Sequence, residues 1–208
     1  MKKIHTTIFP MIRKFIIISL MGFSIFANAQ TQTSKSSFTA LVREENGDLN
    51  GDGLADKVTI TMDTANVTRP LQLEIFFQQK DSKYKLVTSS TKLLTPQYHK
   101  DGKYAGNVIP DIEIDNGILK ILTERNGNHS QHQFKFQSGN FELIHYFNVI
   151  WDGKNTTTET KFDLVTGNYS VESQQLGSDE VTVLEKKKIM VKPLPKLQGF
   201  VPFENQLY

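Results

Sequence analysis

Apolar and polar residues alternate along much of the chain after residue 37. Leu71, Leu73 and Ile75 are separated by single polar residues, and so are Phe134 and Phe136. A period of two places the apolar side chains on one face of a β-strand and the polar side chains on the other. One buried face and one solvated face are typical of antiparallel sheets. The pattern therefore predicts an all-β domain, with no amphipathic helix of about ten or more residues.

Short turn sequences divide the alternating runs into strands. Asn116-Gly117 favours a type I′ turn, whereas Ser138-Gly139-Asn140 and Thr166-Gly167-Asn168 suit three-residue turns with a bulge. The hairpins expected around these turns pair residues 112–114 with 119–121, 134–136 with 141–143, and 162–164 with 169–171. Further strands are expected at residues 38–43, 57–62, 71–77 and 84–90, and residues 185–192 are expected to form a last strand or a short helix. This arrangement predicts a mostly meandering antiparallel sandwich or partly open barrel.

Residues 92–109 interrupt the alternation. They contain Pro96, Gly102 and Gly106 and show little periodicity, so we expect a long surface loop. Long ordered loops in compact domains are often functional. This segment is therefore a candidate part of a binding or catalytic site.

The first 29 residues have the organisation of a secretory signal peptide. Four basic residues and no acidic residue precede the apolar run 15–26, and Ala27-Asn28-Ala29 forms a small-x-small cleavage site. The apolar run is shorter than the roughly 20 residues that a membrane-spanning helix needs. We expect cleavage before Gln30, a flexible polar leader over residues 30–37, and export to the periplasm or the extracellular space. A retained membrane anchor is the alternative.

Removal of this segment changes the charge of the chain. Four of the 24 basic residues lie in the first 29 positions, so the mature chain has 20 basic and 22 acidic residues. This balance gives no reason to expect nucleic-acid binding. The sequence contains no cysteine, which excludes disulfides and a lipidated N-terminal cysteine. We therefore expect one soluble, monomeric β domain over residues 38–208, with no membrane span in the mature chain.

The segment from Asp48 to Asp56 carries the clearest candidate chemistry. Side chains that bear oxygen occupy loop positions 1, 3, 5 and 9, and a glycine occupies position 6, where a calcium loop turns sharply. The side chains are those of Asp48, Asn50, Asp52 and Asp56, and the backbone carbonyl of Leu54 at position 7 would be a fifth ligand. Calcium binds roughly six to eight oxygen atoms, so this set predicts a calcium site. A hairpin turn rich in Asp, Asn and Gly, without a metal, is the alternative.

The motif differs from an EF-hand, because position 12 is Thr59 rather than a bidentate Glu and its surroundings predict a strand. Asp48-x-Asn50-x-Asp52-Gly53-x-x-Asp56, followed by a strand, resembles the calcium loop of FG-GAP and VCBS-type repeats, known from integrin α-subunit propellers and secreted bacterial proteins. The resemblance covers roughly a dozen residues in one copy. It implies calcium ligation by the loop, but one loop and about 179 residues are too few for a propeller.

Two other groups of residues are candidate sites. His129 and His132 form the only close histidine pair, but positions three apart on a strand face opposite sides, so zinc binding would need a turn there. Asp111, Glu113 and Asp115 alternate along a predicted strand and could supply paired carboxylates to a glycosidase-type site. A solvated strand face is the simpler interpretation of these three acids.

Basic and aromatic residues complete the candidates. The lysine cluster could contact an anionic surface, or it could protect an edge strand from aggregation; it comprises Lys186, Lys187, Lys188, Lys192 and Lys196. Trp151 and Tyr146 could form a sugar-stacking platform, although a place in the core is the simpler interpretation. The sequence contains no Gly-x-Ser-x-Gly, His-Glu-x-x-His or Gly-rich phosphate motif.

Three functions are consistent with this sequence. The first is an exported, calcium-stabilised binding or structural module of the cell envelope, with an unidentified protein or glycan ligand and no catalysis. The second is an envelope or secreted glycan hydrolase that uses carboxylates near residues 92–109. The third is a β-barrel that holds a small ligand. A cleft with two convergent carboxylates would favour the second, and an apolar cavity would favour the third.

Overall fold

In the part of the chain that the structure describes, eleven β-strands follow one another, and each pairs with its sequence neighbour within its own sheet. The structure is a computed structural model that describes residues 37–125, 127–202 and 207, all within the compact unit Lys35–Tyr208. The strands are β1 (Ala40–Gly47), β2 (Asp56–Met62), β3 (Leu71–Gln78), β4 (Tyr84–Ser90), β5 (Asp111–Asp115), β6 (Ile118–Arg125), β7 (Asn128–Gln137), β8 (Asn140–Trp151), β9 (Thr156–Asp163), β10 (Asn168–Gln175) and β11 (Val181–Lys188). The predicted signal peptide and nearly all of the predicted leader lie outside the described residues.

The described strands form two antiparallel sheets. Strands β1 to β4 make a four-stranded sheet, and β5 to β11 make a seven-stranded sheet, each in sequence order. Neither sheet closes into a barrel within the described residues, because its first and last strands lie at opposite edges. The all-β prediction is confirmed, and of the two predicted architectures the arrangement agrees with the sandwich. Among the described residues, no helix has the length and apolar character needed to cross a membrane.

The buried side chains of both sheets form one hydrophobic core. Leu71, Leu73 and Ile75 are fully buried on β3, as the alternation predicted. From the same strand, the ring of Phe77 packs edge to face against Phe136 of β7, with the ring centroids 4.9 Å apart. Aromatic pairs of this geometry add to the stabilisation that burial of their area provides. The core therefore lies between the two sheets and joins them.

The predicted hairpins are present, but two of their turns differ from the prediction. The Asn116-Gly117 turn has positive φ at both residues, as a type I′ turn requires. Gln137 pairs with Asn140, so the second turn contains only Ser138 and Gly139, both with positive φ. In the third hairpin Asp163 pairs with Asn168 around a four-residue turn. The expected three-residue loops are therefore corrected to loops of two and four residues.

The connection between β4 and β5 is anchored in the core rather than lying wholly on the surface. Leu93 and Leu94 are buried near its start, and Asn107 is buried near its end. The side-chain amide of Asn107 donates a hydrogen bond to the carbonyl of Pro96 at 2.7 Å. An isolated bridge pairs Asn107 with Arg125, at the end of β6. The prediction of a surface loop missed these buried positions because they do not recur at a strand or helix period.

Candidate metal site

The candidate calcium loop connects β1 to β2, and the core holds one of its residues in place. Leu49, which lies between Asp48 and Asn50 in the sequence, has a buried side chain. Gly47, the last residue of β1, lies against β5 so closely that an added Cβ would be 2.7 Å from a methyl carbon of Ile114. Only glycine allows this approach without a shift of the neighbour. The loop therefore starts at a fixed contact between the two sheets.

Asp48 organises the first half of the loop. Its Oδ1 accepts hydrogen bonds from the backbone N–H groups of Asn50 at 3.2 Å and Gly51 at 2.7 Å, and its Oδ2 accepts one from Gly53 at 2.8 Å. These donors, the Gly53 N–H foremost, hold the pKa of Asp48 below its usual value. The Asp48 carboxylate is therefore ionised at neutral pH and faces the interior of the turn.

Asn50 and Asp52 each accept a hydrogen bond from the backbone N–H two residues ahead. The side-chain oxygen of Asn50 accepts a hydrogen bond from the N–H of Asp52 at 2.8 Å. Asp52 Oδ1 accepts one from the N–H of Leu54 at 2.9 Å, and its Oδ2 accepts one from the amide of Asn50. Asx turns of this kind curl the chain tightly. As a result, three successive side chains that bear oxygen lie on one short turn.

Asp56 closes the loop at the first position of β2 and is fully buried. One carboxylate oxygen accepts a hydrogen bond from the N–H of Leu49 at 2.9 Å, and the other accepts one from the N–H of Gln78 at 3.1 Å. Burial raises the pKa of Asp56, the two N–H donors oppose this effect, and the negative charges of Asp52 and Asp48 raise the pKa further. Asp56 thus joins the loop to the end of β3.

The three loop carboxylates lack a positive partner in the described part of the chain. No Lys, Arg or His nitrogen described there lies within 4.0 Å of Asp48, Asp52 or Asp56. Among the described turns with a single acid, some have such a partner, as Asp81 has with Lys83 at 2.8 Å, and others, such as that of Asp152, do not. The loop differs from all of them in holding three carboxylates. Negative charges this close together repel one another unless a cation balances them.

The chemistry of the donor set fits a hard cation, although these side chains are arranged around the backbone of the loop. Within the described residues, no group of three His, Asp or Glu side chains converges on a single point. All the candidate ligands offer oxygen, and an ionised carboxylate has about four acceptor positions, so ligands that accept backbone hydrogen bonds retain unused ones. A surface depression of about 630 Å³, lined in part by Asp52 and Leu54, adjoins the loop.

The other candidate groups do not form convergent sites. His132 is buried, whereas the His129 side chain is largely exposed on the other face of β7, so the two do not form a zinc pair. Asp111, Glu113 and Asp115 share the solvated face of β5, where each pairs with a basic residue. This pairing agrees with the simpler interpretation of a solvated strand face.

The lysine cluster and the aromatic pair also separate in space. Lys186, Lys187 and Lys188 lie on β11, an exposed edge strand, and Lys187 pairs with Glu185 at 2.7 Å. Tyr146 is buried in the core, but Trp151 on the same strand is 54% exposed. The two residues occupy an even and an odd position of β8, so they face opposite sides and cannot form one platform.

A second site was not predicted from the sequence, although the prediction for residues 92–109 came near it. A depression of about 340 Å³ lies where β1, the end of the β4–β5 connection and strands β5 to β8 meet. We call it the Phe147 depression, after a half-buried ring in its lining. The polar and ionisable side chains in its lining include Arg43, Asp111, Glu124, His129 and Gln131. The only signal in the sequence was the length of the β4–β5 connection, because these residues come from distant positions.

Comparison of this chain with protein-family models, with curated proteins and with solved structures finds no match. The fold and the two candidate sites therefore rest on the residues of this chain alone.

Proposed function

We propose that this protein is an exported, calcium-stabilised module of the cell envelope that acts by binding or by structure rather than by catalysis. The observation that supports it most directly is the loop with three carboxylates and no positive partner in the described residues. A bound cation would balance their charge, and oxygen ligands favour calcium over softer metals. Asp48, Asn50, Asp52, Asp56 and the Leu54 carbonyl would hold the ion.

Calcium in this role stabilises the fold. Asp56 already links the loop to β2 and β3 through two backbone hydrogen bonds. Burial is the main cause of the raised pKa of Asp56, and a cation beside it would offset the smaller contribution, which is repulsion by Asp52 and Asp48. An ion that binds only the folded state stabilises that state in proportion to the logarithm of its concentration above the dissociation constant. The proposed ion thus strengthens the contact between the loop and the four-stranded sheet.

Isothermal titration of the chelator-treated protein with calcium tests this proposal. We expect one site with a dissociation constant of about 10⁻⁴ to 10⁻³ M, as in extracellular calcium modules. Asp52→Ala should abolish the site, because it removes a central carboxylate. The loop should stay joined to β3, because that link runs through Asp56. Asp101→Ala is the matched control, since it removes a turn carboxylate that already has a lysine partner and does not line the depression beside the loop. A flat titration of the unmodified protein at millimolar calcium would contradict the proposal.

Export requires a separate measurement. Mass spectrometry of the exported protein should find Gln30 at or very near the N-terminus, because Ala27-Asn28-Ala29 has the pattern of a cleavage site. Recovery of the uncleaved chain in the membrane fraction would show instead that residues 1–29 act as an anchor.

A further inference from the structure

The Phe147 depression lies on the outer face of the seven-stranded sheet, the face opposite the core. Leu122, Gln131 and Phe147 stand directly opposite one another on β6, β7 and β8, so they form one row of side chains across three strands. Arg43 from β1 and Val108 from the β4–β5 connection line the same depression. The site is therefore built by both sheets and by the long connection.

The ionisable groups around the depression lie next to one another in two pairs. The Nε of Arg43 donates to Oδ1 of Asp111 at 3.2 Å, and Nδ1 of His129 lies 3.8 Å from a carboxylate oxygen of Glu124. Each acid thus has a basic partner, in contrast to the acids of the calcium loop. With two carboxylates and one guanidinium the site has no excess of positive charge, so it gives no electrostatic reason to select a phosphate or another strongly anionic ligand.

The groups that remain for a ligand are planar polar side chains and one aromatic ring. Backbone groups of β6 to β8 are used in strand pairing, so a peptide cannot bind this surface by adding a strand. Carboxylate, guanidinium and amide groups offer hydrogen-bond acceptors or donors in pairs. Hydroxyl groups both donate and accept, so a ligand rich in hydroxyls can satisfy acidic and basic neighbours at once. The apolar surface of Phe147 and Leu122 suits the C–H face of such a ligand.

We infer that the Phe147 depression binds a short, neutral saccharide. Its volume of about 340 Å³ lies within the range of small-ligand pockets. The ring of Phe147 packs against the sugar face, and Gln131, Asp111 and Glu124 hydrogen-bond to its hydroxyls. This inference rests on the proposed binding role of the protein but not on the calcium ion, so the two proposals can fail separately.

Ligand-observed NMR and isothermal titration with neutral disaccharides test the inference. The probes are maltose, cellobiose and N,N′-diacetylchitobiose at up to about 10 mM, tenfold above a millimolar dissociation constant. We expect at least one probe to bind, with and without calcium. Absence of binding by all three would overturn the inference, and so would binding only of charged sugars such as glucuronate or glucosamine.

Substitutions locate the binding site. Phe147→Ala and Gln131→Ala should each weaken binding about tenfold or more, equivalent to about 1.4 kcal/mol. Gln174→Ala is the matched control, because Gln174 is a glutamine on β10 that is not part of the depression. Melting curves identify any variant that fails to fold, and the half-buried surface position of Gln131 makes that variant the safer one. Saccharide binding that both substitutions leave unchanged would place the ligand elsewhere and overturn the assignment.

Discussion

Two turns of this protein contain the same local hydrogen-bond pattern around an aspartate but are held in place by different forces. In the candidate calcium loop Asp48 accepts hydrogen bonds from the N–H groups two and three residues ahead, and in the β9–β10 turn Asp163 does the same toward Val165 and Thr166. Beyond this, the β9–β10 turn is fixed by packing, since an added Cβ at Gly167 would be 2.6 Å from the Ile189 carbonyl oxygen. At Gly53 nothing lies within 4 Å. Side-chain oxygens hold the first turn, whereas close contact with residues 189 and 190 and a backbone hydrogen bond from the Ile189 N–H to the Gly167 carbonyl hold the second.

The largest effect is expected at Asp56, where the loop depends most on a buried carboxylate. Asp56→Ala leaves the N–H groups of Leu49 and Gln78 without their acceptor, and each unsatisfied group costs about 1–3 kcal/mol. We expect the free energy of unfolding to fall by about 4 kcal/mol in the presence of chelator, as measured by urea denaturation. Asp52→Ala, at an exposed position, should cost less than about 1 kcal/mol. Similar losses for the two variants would show that the buried hydrogen bonds do not hold the loop.

The second prediction concerns the turn that is held by packing. Gly167→Ala combines a positive φ of 79° with a collision against Ile189 and Met190, so we expect a loss of about 3 kcal/mol. Gly53→Ala has a positive φ of 81° but open space around the added Cβ, so only the backbone strain of about 1 kcal/mol applies. Both values are for chelator-treated protein. If the two substitutions cost the same amount, packing does not distinguish the two turns.

Sequence reasoning predicted the strands better than it predicted these turns. Alternation predicted β3 and both partners of each hairpin because one buried face is a local property of a strand. The second turn was misassigned because Ser138, which has a side chain, adopts a positive φ of 49°, a conformation for which glycine is the usual signal. Leu164 was assigned to a strand because it is apolar, but the core buries it within the turn itself.

For the candidate sites too, the sequence predicted local features but not contacts between distant residues. The residues of the candidate calcium loop are neighbours in the sequence, so their spacing alone led to the prediction that they bind calcium, which remains a prediction. Asp56 also accepts a hydrogen bond from the N–H of Gln78, which is 22 residues away, and spacing within the loop carries no information about that contact. The Phe147 depression depends on pairings between distant strands and on Arg43, which is 68 residues from Asp111. Such contacts follow from the tertiary fold and leave no periodic signal in the sequence.

The third prediction concerns the pH dependence of stability that a buried histidine of the seven-stranded sheet causes. Burial lowers the pKa of His132 to about 4, below the 6.5 of an unfolded chain. The folded state therefore binds fewer protons, so stability falls as the pH drops below 6.5 and levels off below 4. His132 should contribute a loss of about 1.4 kcal/mol at pH 5.5 relative to pH 7.5, and the lowered pKa of the half-buried His145 acts in the same direction. In the loop, the lowered pKa of Asp48 keeps that carboxylate ionised over the same range, and the raised pKa of Asp56 acts in the opposite direction to His132, because the folded state then binds more protons.

Urea denaturation at the two pH values checks this prediction. His132→Phe should remove most of the loss, because a phenyl ring has the shape of the buried imidazole but does not titrate. His129→Phe is the matched control, and it should keep the loss because the His129 side chain is 63% exposed. A pH dependence that His132→Phe leaves unchanged would assign the effect to other groups.

The smallest effect on the free energy of unfolding is expected when one polar side chain is removed from each turn. The oxygen of Asn50 accepts a hydrogen bond from Asp52 at 2.8 Å, and the hydroxyl of Thr166 accepts one from Asn168 at 3.4 Å. In chelator, Asn50→Ala should cost about 0.5 kcal/mol and Thr166→Ala less, because both sites are exposed and the second bond is long.

Calcium should enlarge this difference if the loop binds the ion. At a calcium concentration tenfold above the dissociation constant, the unmodified protein and Thr166→Ala should each gain about 1.4 kcal/mol, a few degrees in melting temperature. Asn50→Ala should gain clearly less, since it lacks one proposed ligand but retains all three carboxylates. An equal calcium shift in all three proteins would mean that Asn50 serves only the turn. A shift in none of them would mean that hydrogen bonds alone hold the loop, as close contact holds the β9–β10 turn.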